Sequence, residues 1–370
     1  MDKDKVMKQA LALAARGAGR VSPNPMVGAV IFKGSKIISR GYHHYFGGPH
    51  AEIDALKKAG KKASGASMAV NLEPCSHFGK TPPCVESIVK AGIKEVFAGM
   101  RDPNPLVAGK GLAYLRRQGI KVKSGILKND CAFLNRAFVS VHVRKRPWIV
   151  LKEGLSLDGR IASHTGNSKW ITNPKARLFA HKLRYESDMV MAGAATFRKD
   201  RPSLLPYLIK APRHPLGYPA RCVVTRSGLL NTCGKLVDSR SRLFIAYMAG
   251  KGSAKPGNAK SGHTKIYFKN LNKLVELFSK KGYNQILIEG GGGLAGSLFD
   301  EGLIDEIYFM YAPIVIGGTK AVAAVAGRGK ALVKNAFEFS ENRIFALDNN
   351  FVFHGVRGGG IFKEKGCLRA

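Results

Sequence analysis

The sequence predicts a two-domain α/β protein. Its 370 residues, at about 150 residues per domain, leave room for two domains. Strand-like and helix-like segments alternate twice along the chain, the mark of layered α/β architecture. Between the two runs, Arg144-Lys-Arg-Pro147 breaks the pattern, which places the domains at residues 1–146 and 147–370. A hydrophobic fraction of 45% is that of a globular chain and excludes a mainly disordered one.

In the first run, residues 3–15, rich in Ala and Leu, read as a helix. The apolar stretch is short and ends in Arg16, so it reads as an amphipathic first helix and not as an export signal. Residues 26–32 and 36–42 read as strands around Lys33-Gly34-Ser35. Residues 51–59 read as a helix stopped by Gly60, and residues 67–72 as a strand. A helix begins at Pro83 and ends near Gly92. Residues 94–98 form a strand, 112–118 a helix and 121–123 a short strand, before one longer helix over 126–143. In the second run residues 148–151 start a strand. A helix over 175–185 and a strand over 189–192 follow. Strands are expected near Cys222 and Phe244, a helix over 271–280, a strand over 285–288, a helix after Gly293 and a strand over 306–311. Four prolines between residues 204 and 219 mark a loop. No internal repeat at a fixed period is found.

Composition narrows the functional classes. No apolar run reaches the roughly 18 residues needed to span a bilayer, so no membrane partner is expected. Six cysteines are too sparse for a disulfide scaffold, which makes the cytoplasm the expected compartment. Sixty Lys plus Arg against 25 Asp plus Glu give a formal charge of +35, a field that concentrates anions of any kind. The basic residues are spread along the whole chain with no arginine-rich tail. The acid-free stretch 248–265, with Lys251, Lys255, Lys260 and Lys265 among Gly, Ser, Ala and Pro, reads as a solvated loop first and a binding patch second.

The strongest chemical signal is His50-Ala51-Glu52 followed by Pro74-Cys75 and Cys84. One imidazole and two thiolates are three suitable zinc ligands, and a three-ligand set leaves a fourth position for water, as catalytic sites do. Glu52, two residues from His50, need not bind metal and can shuttle a proton. Both segments are expected at helix starts, where the N–H groups favour a thiolate. Zinc-activated water, a carboxylate acid/base and a leaving amine together make hydrolytic deamination, in the H-x-E then P-C-x-x-C order of zinc deaminases. The bland alternative is three unrelated residues. The spacing departs from the common pattern, because eight residues separate Cys75 from Cys84, enough to wall a substrate pocket.

Val21-Ser-Pro-Asn-Pro-Met-Val-Gly-Ala-Val30, Gly47-Gly-Pro-His-Ala-Glu52 and Glu73-Pro-Cys-Ser-His-Phe-Gly-Lys-Thr-Pro-Pro-Cys84 resemble the bifunctional deaminase/reductase family of riboflavin biosynthesis. The resemblance covers nearly the whole chain. It implies an N-terminal cytidine-deaminase-like three-layer domain and a C-terminal dihydrofolate-reductase-like α/β domain, with Zn2+ and NADPH as cofactors. It implies that His50, Cys75 and Cys84 hold zinc, that Glu52 carries the proton, and that Asn24, His43 and His77 lie near the pyrimidine. His43 and His77 are equally readable as surface imidazoles.

Lys152-Glu-Gly-Leu-Ser-Leu-Asp-Gly-Arg-Ile-Ala162 and Gly193-Ala-Ala-Thr196-Phe-Arg-Lys-Asp200 resemble that family's reductase half. Late in the chain, Ile288-Glu289-Gly290-Gly-Gly-Gly293 follows a strand and opens a helix. Residues without Cβ let a pyrophosphate approach backbone N–H groups at a helix start, and a flexible turn is the alternative. The run is not the GxGxxG dinucleotide fingerprint. The resemblance implies NADPH contacts from Gly154, Trp170, Thr196, Asp200, Gly291, Gly292, Gly293 and Leu294. It implies substrate contacts from Ser168, Arg184, Leu204 and Glu289. Arg184 offers a fork to a substrate phosphate, or is a surface residue paired with Glu186. Two positions depart from the family pattern. Arg201 stands for an Asp and Tyr207 for an Arg expected at the substrate phosphate, so Arg198, Arg201 or Arg213 is expected to supply that charge. Thr225 stands where the family often has an acid.

The expected function is zinc-dependent hydrolytic deamination of 2,5-diamino-6-ribosylamino-4(3H)-pyrimidinone 5′-phosphate, followed by NADPH reduction of the ribosyl group to ribityl. The expected partner is this small phosphorylated pyrimidine, with a homo-oligomer as the assembly and no nucleic acid. The alternatives are a deaminase with a degenerate reductase half and a nucleic-acid base deaminase.

Overall fold

The structure, a computed structural model, describes residues 2–76, 82–210, 214–226, 240–249 and 263–358. They fall in two compact units, divided between Lys145 and Arg146.

In the first unit α1 (Lys3–Ala15) is capped by Asp2, whose carboxylate accepts a hydrogen bond from the Asp4 amide. Then follow β1 (Gly28–Lys33), β2 (Lys36–Tyr42), α2 (Ala51–Ala59), β3 (Ser67–Leu72), α3 (Cys84–Lys90), β4 (Glu95–Met100), α4 (Lys110–Arg117), β5 (Lys121–Ser124), α5 (Lys128–Leu134) and α6 (Arg136–Arg144). The sheet order is β2-β1-β3-β4-β5. β1 is antiparallel to both neighbours, and β3, β4 and β5 are parallel. Gly28 pairs with Tyr42 and Ala29 with Gly41, so Gly28 and Gly41 point to opposite faces. A Cβ on Gly28 would stand 2.1 Å from the Ala10 carbonyl of α1, and one on Gly41 2.4 Å from the Ala51 carbonyl of α2. Helices therefore meet the sheet at backbone contact on both faces, giving three layers, and Gly41 seats the first turn of α2.

One expectation here is corrected. The helix predicted over 126–143 is two helices, because Asn135 breaks it at φ −99°, ψ 22°. Its buried side chain accepts from the Met26 amide at 2.8 Å and donates to the Met26 carbonyl at 3.0 Å. Satisfying that backbone, 109 residues away in the chain, takes the place of helix continuity.

The second unit runs β6 (Trp148–Leu155), β7 (Arg160–Ala162), α7 (Pro174–Tyr185), β8 (Met189–Gly193), α8 (Ala194–Asp200), β9 (Ala220–Thr225), β10 (Leu243–Met248), β11 (Thr264–Phe268), α9 (Leu271–Lys280), β12 (Gln285–Glu289), α10 (Gly292–Asp300), β13 (Glu306–Tyr311), β14 (Val322–Ala323), β15 (Glu341–Leu347) and β16 (Asn350–Val356). Among the described residues nine strands form one sheet, in the order β11-β10-β9-β8-β12-β6-β13-β16-β15. From β11 to β13 the pairs are parallel, and β16 and β15 add an antiparallel edge. The hairpin β15–β16, the strand β11, the short strands β7 and β14 and the helix α8 go beyond the elements predicted, and β6 runs past residue 151 to Leu155. Residues of α9 and α10 pack with β9, β10 and β12 in one core, while Ala194 and Phe197 of α8 pack with Val223, Leu243 and Ile245 in another. The basic stretch expected over 248–265 lies mostly outside the described residues. No helix among the described residues is long and apolar enough to cross a membrane.

Glu153 is an oddity of β6. It is 3% exposed, and its Oε1 has no recorded hydrogen-bond partner among the described residues. Burial pushes its carboxyl up to about 8. The unfolded chain ionises Glu153 near 4.5 while the folded chain keeps it protonated, so this residue costs stability increasingly as pH rises through that window. Replacing Glu153 with Leu is expected to raise the stability of this unit at pH 8 by a few kcal/mol, on the order set by 1.36 kcal/mol per pKa unit. Urea unfolding at pH 8 and at pH 5 checks this, the gain being smaller at pH 5.

Candidate active sites

In the first unit the zinc-ligand candidates converge from three segments. His50 is the residue before α2, Cys75 lies just after β3, and Cys84 opens α3. His50 Nδ1 stands 3.2 Å from Cys84 Sγ and 3.5 Å from Cys75 Sγ, and all three ligand atoms lie within 4.8 Å of one another. Tetrahedral zinc, with Zn–N about 2.0–2.1 Å and Zn–S about 2.3 Å, sets nitrogen and sulfur roughly 3.6 Å apart. The donor set and spacing fit that ion.

The ligands polarise one another. Hydrogen bonding from the Cys84 thiol, opposed by burial and helped by His50, holds Cys75 down at about 4, while Cys84 is pushed up. The Cys84 amide at the start of α3 also donates to Cys75 Sγ at 3.3 Å. The hydrogen bond with Cys75 raises His50 to about 9. Glu52, in the first turn of α2 and 4% exposed, is pushed up to about 7, first by burial and then by the Cys75 charge.

His50, Glu52 and Cys75 line a pocket of about 340 Å³ together with Asn24, His43, Asp102, Asn104 and Phe138. His43 is 2% exposed, so it is a pocket residue and not a surface imidazole. Its Nδ1 lies 2.8 Å from the Pro49 carbonyl, which can only accept, so Nδ1 carries the proton. Nε2 then accepts from the Asn24 amide at 3.1 Å. Burial lowers the His43 pKa, keeping the ring neutral. Asn24 is held from behind, because Asn71 accepts from the Gly28 amide and donates to the Met26 carbonyl, joining Asn135 in fixing that segment. His77 lies outside the described residues.

Two residues of this site escaped the sequence reading. Glu73, 3% exposed, accepts four backbone amides: Asp102 and Gly109 on Oε2, Gly111 and Leu112 on Oε1, at 2.9–3.2 Å. It ties the strand end carrying Cys75 to the pocket wall. Asp102, raised to about 7 by burial, faces the pocket from that wall. An acid at the end of an apolar strand was the available signal for Glu73.

In the second unit Gly154, Glu289, the glycine run and Thr196 lie at or just past the C-terminal ends of the adjacent parallel strands β6, β12 and β8, where open α/β sheets take ligands. Gly290 and Gly291 have φ of 69° and 90°, and a Cβ on Gly291 would come 2.7 Å from Thr196 Oγ1. Nothing lies within 4 Å of a Cβ placed on Gly293. Gly292 is the first residue of α10, and a Cβ on Gly193 would reach Leu294 at 3.6 Å. This cradle of bare backbone at a helix start, closed by Thr196, fits a dinucleotide pyrophosphate. On β6, a Cβ at Gly154 would meet Thr172 at 3.2 Å.

Arg184 is neither at the surface nor paired with Glu186. Its Nε and Nη2 donate to the two carboxylate oxygens of Glu289 at 2.8 and 2.6 Å, and Nη1 donates to the Leu205 carbonyl. The fork offered to a phosphate is thus engaged by Glu289. Lys152 Nζ lies 3.7 Å from Glu289 Oε1, and His181 Nε2 lies 3.4 Å from Arg184. Lys152 was missed, although a lysine inside Trp148-Ile-Val-Leu-Lys152 is itself a signal. Leu204 is buried beside this cluster's loop, with φ 58°. Ser168 is half-buried, and Trp170 is 68% exposed with the Arg177 guanidinium 4.6 Å from its ring. Asp200 ends α8. The recorded contacts bring none of these last three into the Arg184–Glu289 cluster. Tyr207 packs edge-on against His181 with centroids 4.3 Å apart. Arg198 and Arg201 are exposed, and Arg213 lies outside the described residues.

Residues 1–100 match the cytidine and deoxycytidylate deaminase zinc-binding region, and residues 147–353 match the RibD C-terminal domain. Together with the two sites, these matches make the chain a two-domain enzyme, a zinc-binding deaminase joined to an NADPH-using reductase. It is 39% identical over 335 residues to the riboflavin biosynthesis protein RibD of Bacillus amyloliquefaciens, covering 89% of each chain. The chain belongs to the RibD family, the bifunctional deaminase/reductases of riboflavin biosynthesis. Among solved structures, Acinetobacter baumannii RibD aligns at TM-score 0.87 and 34% identity, covering 96% of this chain and 98% of that one. The diaminohydroxyphosphoribosylaminopyrimidine deaminase/5-amino-6-(5-phosphoribosylamino)uracil reductase of Thermotoga maritima aligns at TM-score 0.85 and 33% identity over the same shares. The reductase match does not favour a nucleic-acid base deaminase or a deaminase alone.

Proposed function

We propose that the first unit deaminates 2,5-diamino-6-ribosylamino-4(3H)-pyrimidinone 5′-phosphate, and that the second reduces the ribosyl group of the product to ribityl. The observation that carries the reading is the convergence of His50, Cys75 and Cys84 with buried Glu52 at one pocket. In this reading His50, Cys75 and Cys84 hold zinc, which when bound acidifies water and polarises the reacting carbon. Glu52 takes a proton from the attacking water and returns it to the departing amine, so that water enters and ammonia leaves. His43, neutral and fixed by Pro49, orients Asn24 toward the pyrimidine edge.

In the second unit the glycine cradle with Thr196 holds NADPH, which when bound supplies the hydride for C1′ of the sugar. The opened ring oxygen needs one proton, and Lys152 beside Glu289 gives it. Glu289 and Arg184 hold each other and the adjacent Leu204–Leu205 loop in place for the substrate. Arg198 and Arg201 carry the positive charge near α8 that the Tyr207 position lacks. The chain acts as a homo-oligomer in the cytoplasm, on a small phosphorylated pyrimidine and without nucleic acid.

Zinc analysis coupled to ammonia release tests the first half. The wild type is expected to bind one zinc per chain, and Cys84→Ser and His50→Ala are expected to lose both the metal and the activity. Full turnover by metal-free protein would sink the proposal.

A further inference from the structure

We infer that the charge on Glu153 sets the affinity of the second unit for its dinucleotide: the cofactor binds while this carboxyl is neutral and is weakened when it ionises. The inference rests on the reductase reading above and gives a role to a residue that the chemistry described there leaves unused.

The position follows from the sheet. Side chains alternate along β6, so Glu153 shares the face of Ile149 and Leu151 and lies on the opposite face from Lys152. Ile149 and Leu151 pack in one core with Ile288 of β12 and with Ala295 and Leu298 of α10. Glu153 lies two residues further along β6, toward the start of that helix. The last pair between β12 and β6 sets Glu289 opposite Lys152, so the next residues, Gly290 and Glu153, stand level and about 4.8 Å apart. Gly290 and Gly291 open the cradle, and Gly292 is the first residue of α10. On its other side Glu153 faces Phe309 of β13. A glycine and a phenylalanine offer the carboxyl no polar side chain, and Oε1 is left without a recorded partner among the described residues at 3% exposure. A buried acid that the fold does not satisfy, set beside a ligand cradle, marks a functional position.

The charge matters because of what the cradle holds. Amides at a helix start favour an anion, and a dinucleotide brings its pyrophosphate there. A neutral Glu153 leaves that field intact. An ionised one, in a buried setting with little water to screen it, opposes the field and repels the phosphates. Burial pushes the carboxyl up to about 8, so both forms are reached near neutral pH. The charged and titratable groups around it are few. Lys152 and Glu289 act on it from the opposite face of the sheet, and the Arg184 charge holds Glu289 at about 2 against its burial. On β13 Tyr311 shares the face of Phe309, and burial raises its hydroxyl above the ordinary value of 10. α10 brings only Asp300, at its far end. The segment 321–326, whose carbonyls lie against Gly292 and Gly296, brings no titratable side chain. Above pH 8 the dinucleotide therefore binds together with a proton on Glu153.

Direct binding to the full-length protein tests the inference, with NADPH as the probe and no turnover measured. Between about pH 7 and 9.5 the cofactor's own phosphates no longer titrate, their second pKa being about 6. Over that range the wild type is expected to lose about 10- to 30-fold in NADPH affinity, within the limit of about tenfold per pH unit that one linked proton allows. Glu153→Gln and Glu153→Leu carry no charge there and are expected to hold their affinity within about twofold over the same range. Calorimetry at about pH 8.5, in two buffers of different ionisation enthalpy, is expected to show the wild type taking up part of a proton as NADPH binds and both variants taking up none. A role in packing alone would move neither the proton count nor the pH slope. A wild type whose NADPH affinity is flat with pH overturns the inference alone. So does the wild-type slope persisting in both variants. A wild type that binds NADPH at no pH overturns the reductase reading with it.

Discussion

Glu52→Gln is expected to cut ammonia release by about 100- to 10,000-fold, the usual weight of a positioned acid/base, without loss of zinc. Glutamine keeps the size and hydrogen-bonding reach of the side chain, and the site is 4% exposed, so packing is preserved. What disappears is the group that gains and gives up a proton. The three ligand atoms come from His50, Cys75 and Cys84, so metal content should stay at the wild-type value. The other unit has its own sheet and core, so reduction of an already deaminated substrate should be unaffected. Metal analysis, ammonia release and NADPH oxidation on the same preparation separate these outcomes. A variant that deaminates at the wild-type rate would remove Glu52 from the chemistry.

Glu289→Ala is expected to carry the largest stability penalty, about 3–5 kcal/mol, the cost of stranding a buried charge by deleting its partner. Burial alone would raise the Glu289 pKa, but the Arg184 charge, then that of Lys152, hold it at about 2. The sign of the pH dependence follows. The unfolded carboxyl titrates near 4.5, so the pair contributes fully above that pH. Its contribution is lost as pH falls toward the folded value. Wild-type stability should therefore drop between about pH 4.5 and 2 through this residue, and Glu289→Gln should lack that part of the drop. Both tryptophans of the chain, Trp148 and Trp170, lie in this unit, so indole emission during urea unfolding reports on it selectively. A Glu289→Ala protein as stable as wild type would show that the bidentate contact carries no net energy.

Much of the architecture was legible because it is local. The strands 36–42 and 67–72 and the helices 3–15 and 51–59 follow from apolar periodicity and from stops such as Gly60. The convergence of His50, Cys75 and Cys84 was legible because three rare ligand types occur in order around a carboxylate. What escaped was long-range. Asn135 looks like an ordinary helix residue until Met26 is placed opposite it. Arg184 looks like a surface cation until Glu289, 105 residues on, fills its fork. The four amides on Glu73 come from the segment 102–112, and no pattern around Glu73 announces them. The hairpin β15–β16 falls in a stretch where no element was predicted, and β15 carries an exposed Ile344 on the sheet's edge.

The carboxylate of Glu73 has a further consequence. The segment bearing Asp102, Asn104 and Val107 has little regular structure before α4, yet it is gripped from beneath by a buried anion with both oxygens filled. That side of the cavity is already shaped when a guest arrives. Its ordering entropy was spent when the chain folded, so a guest docking against that side does not pay to order it.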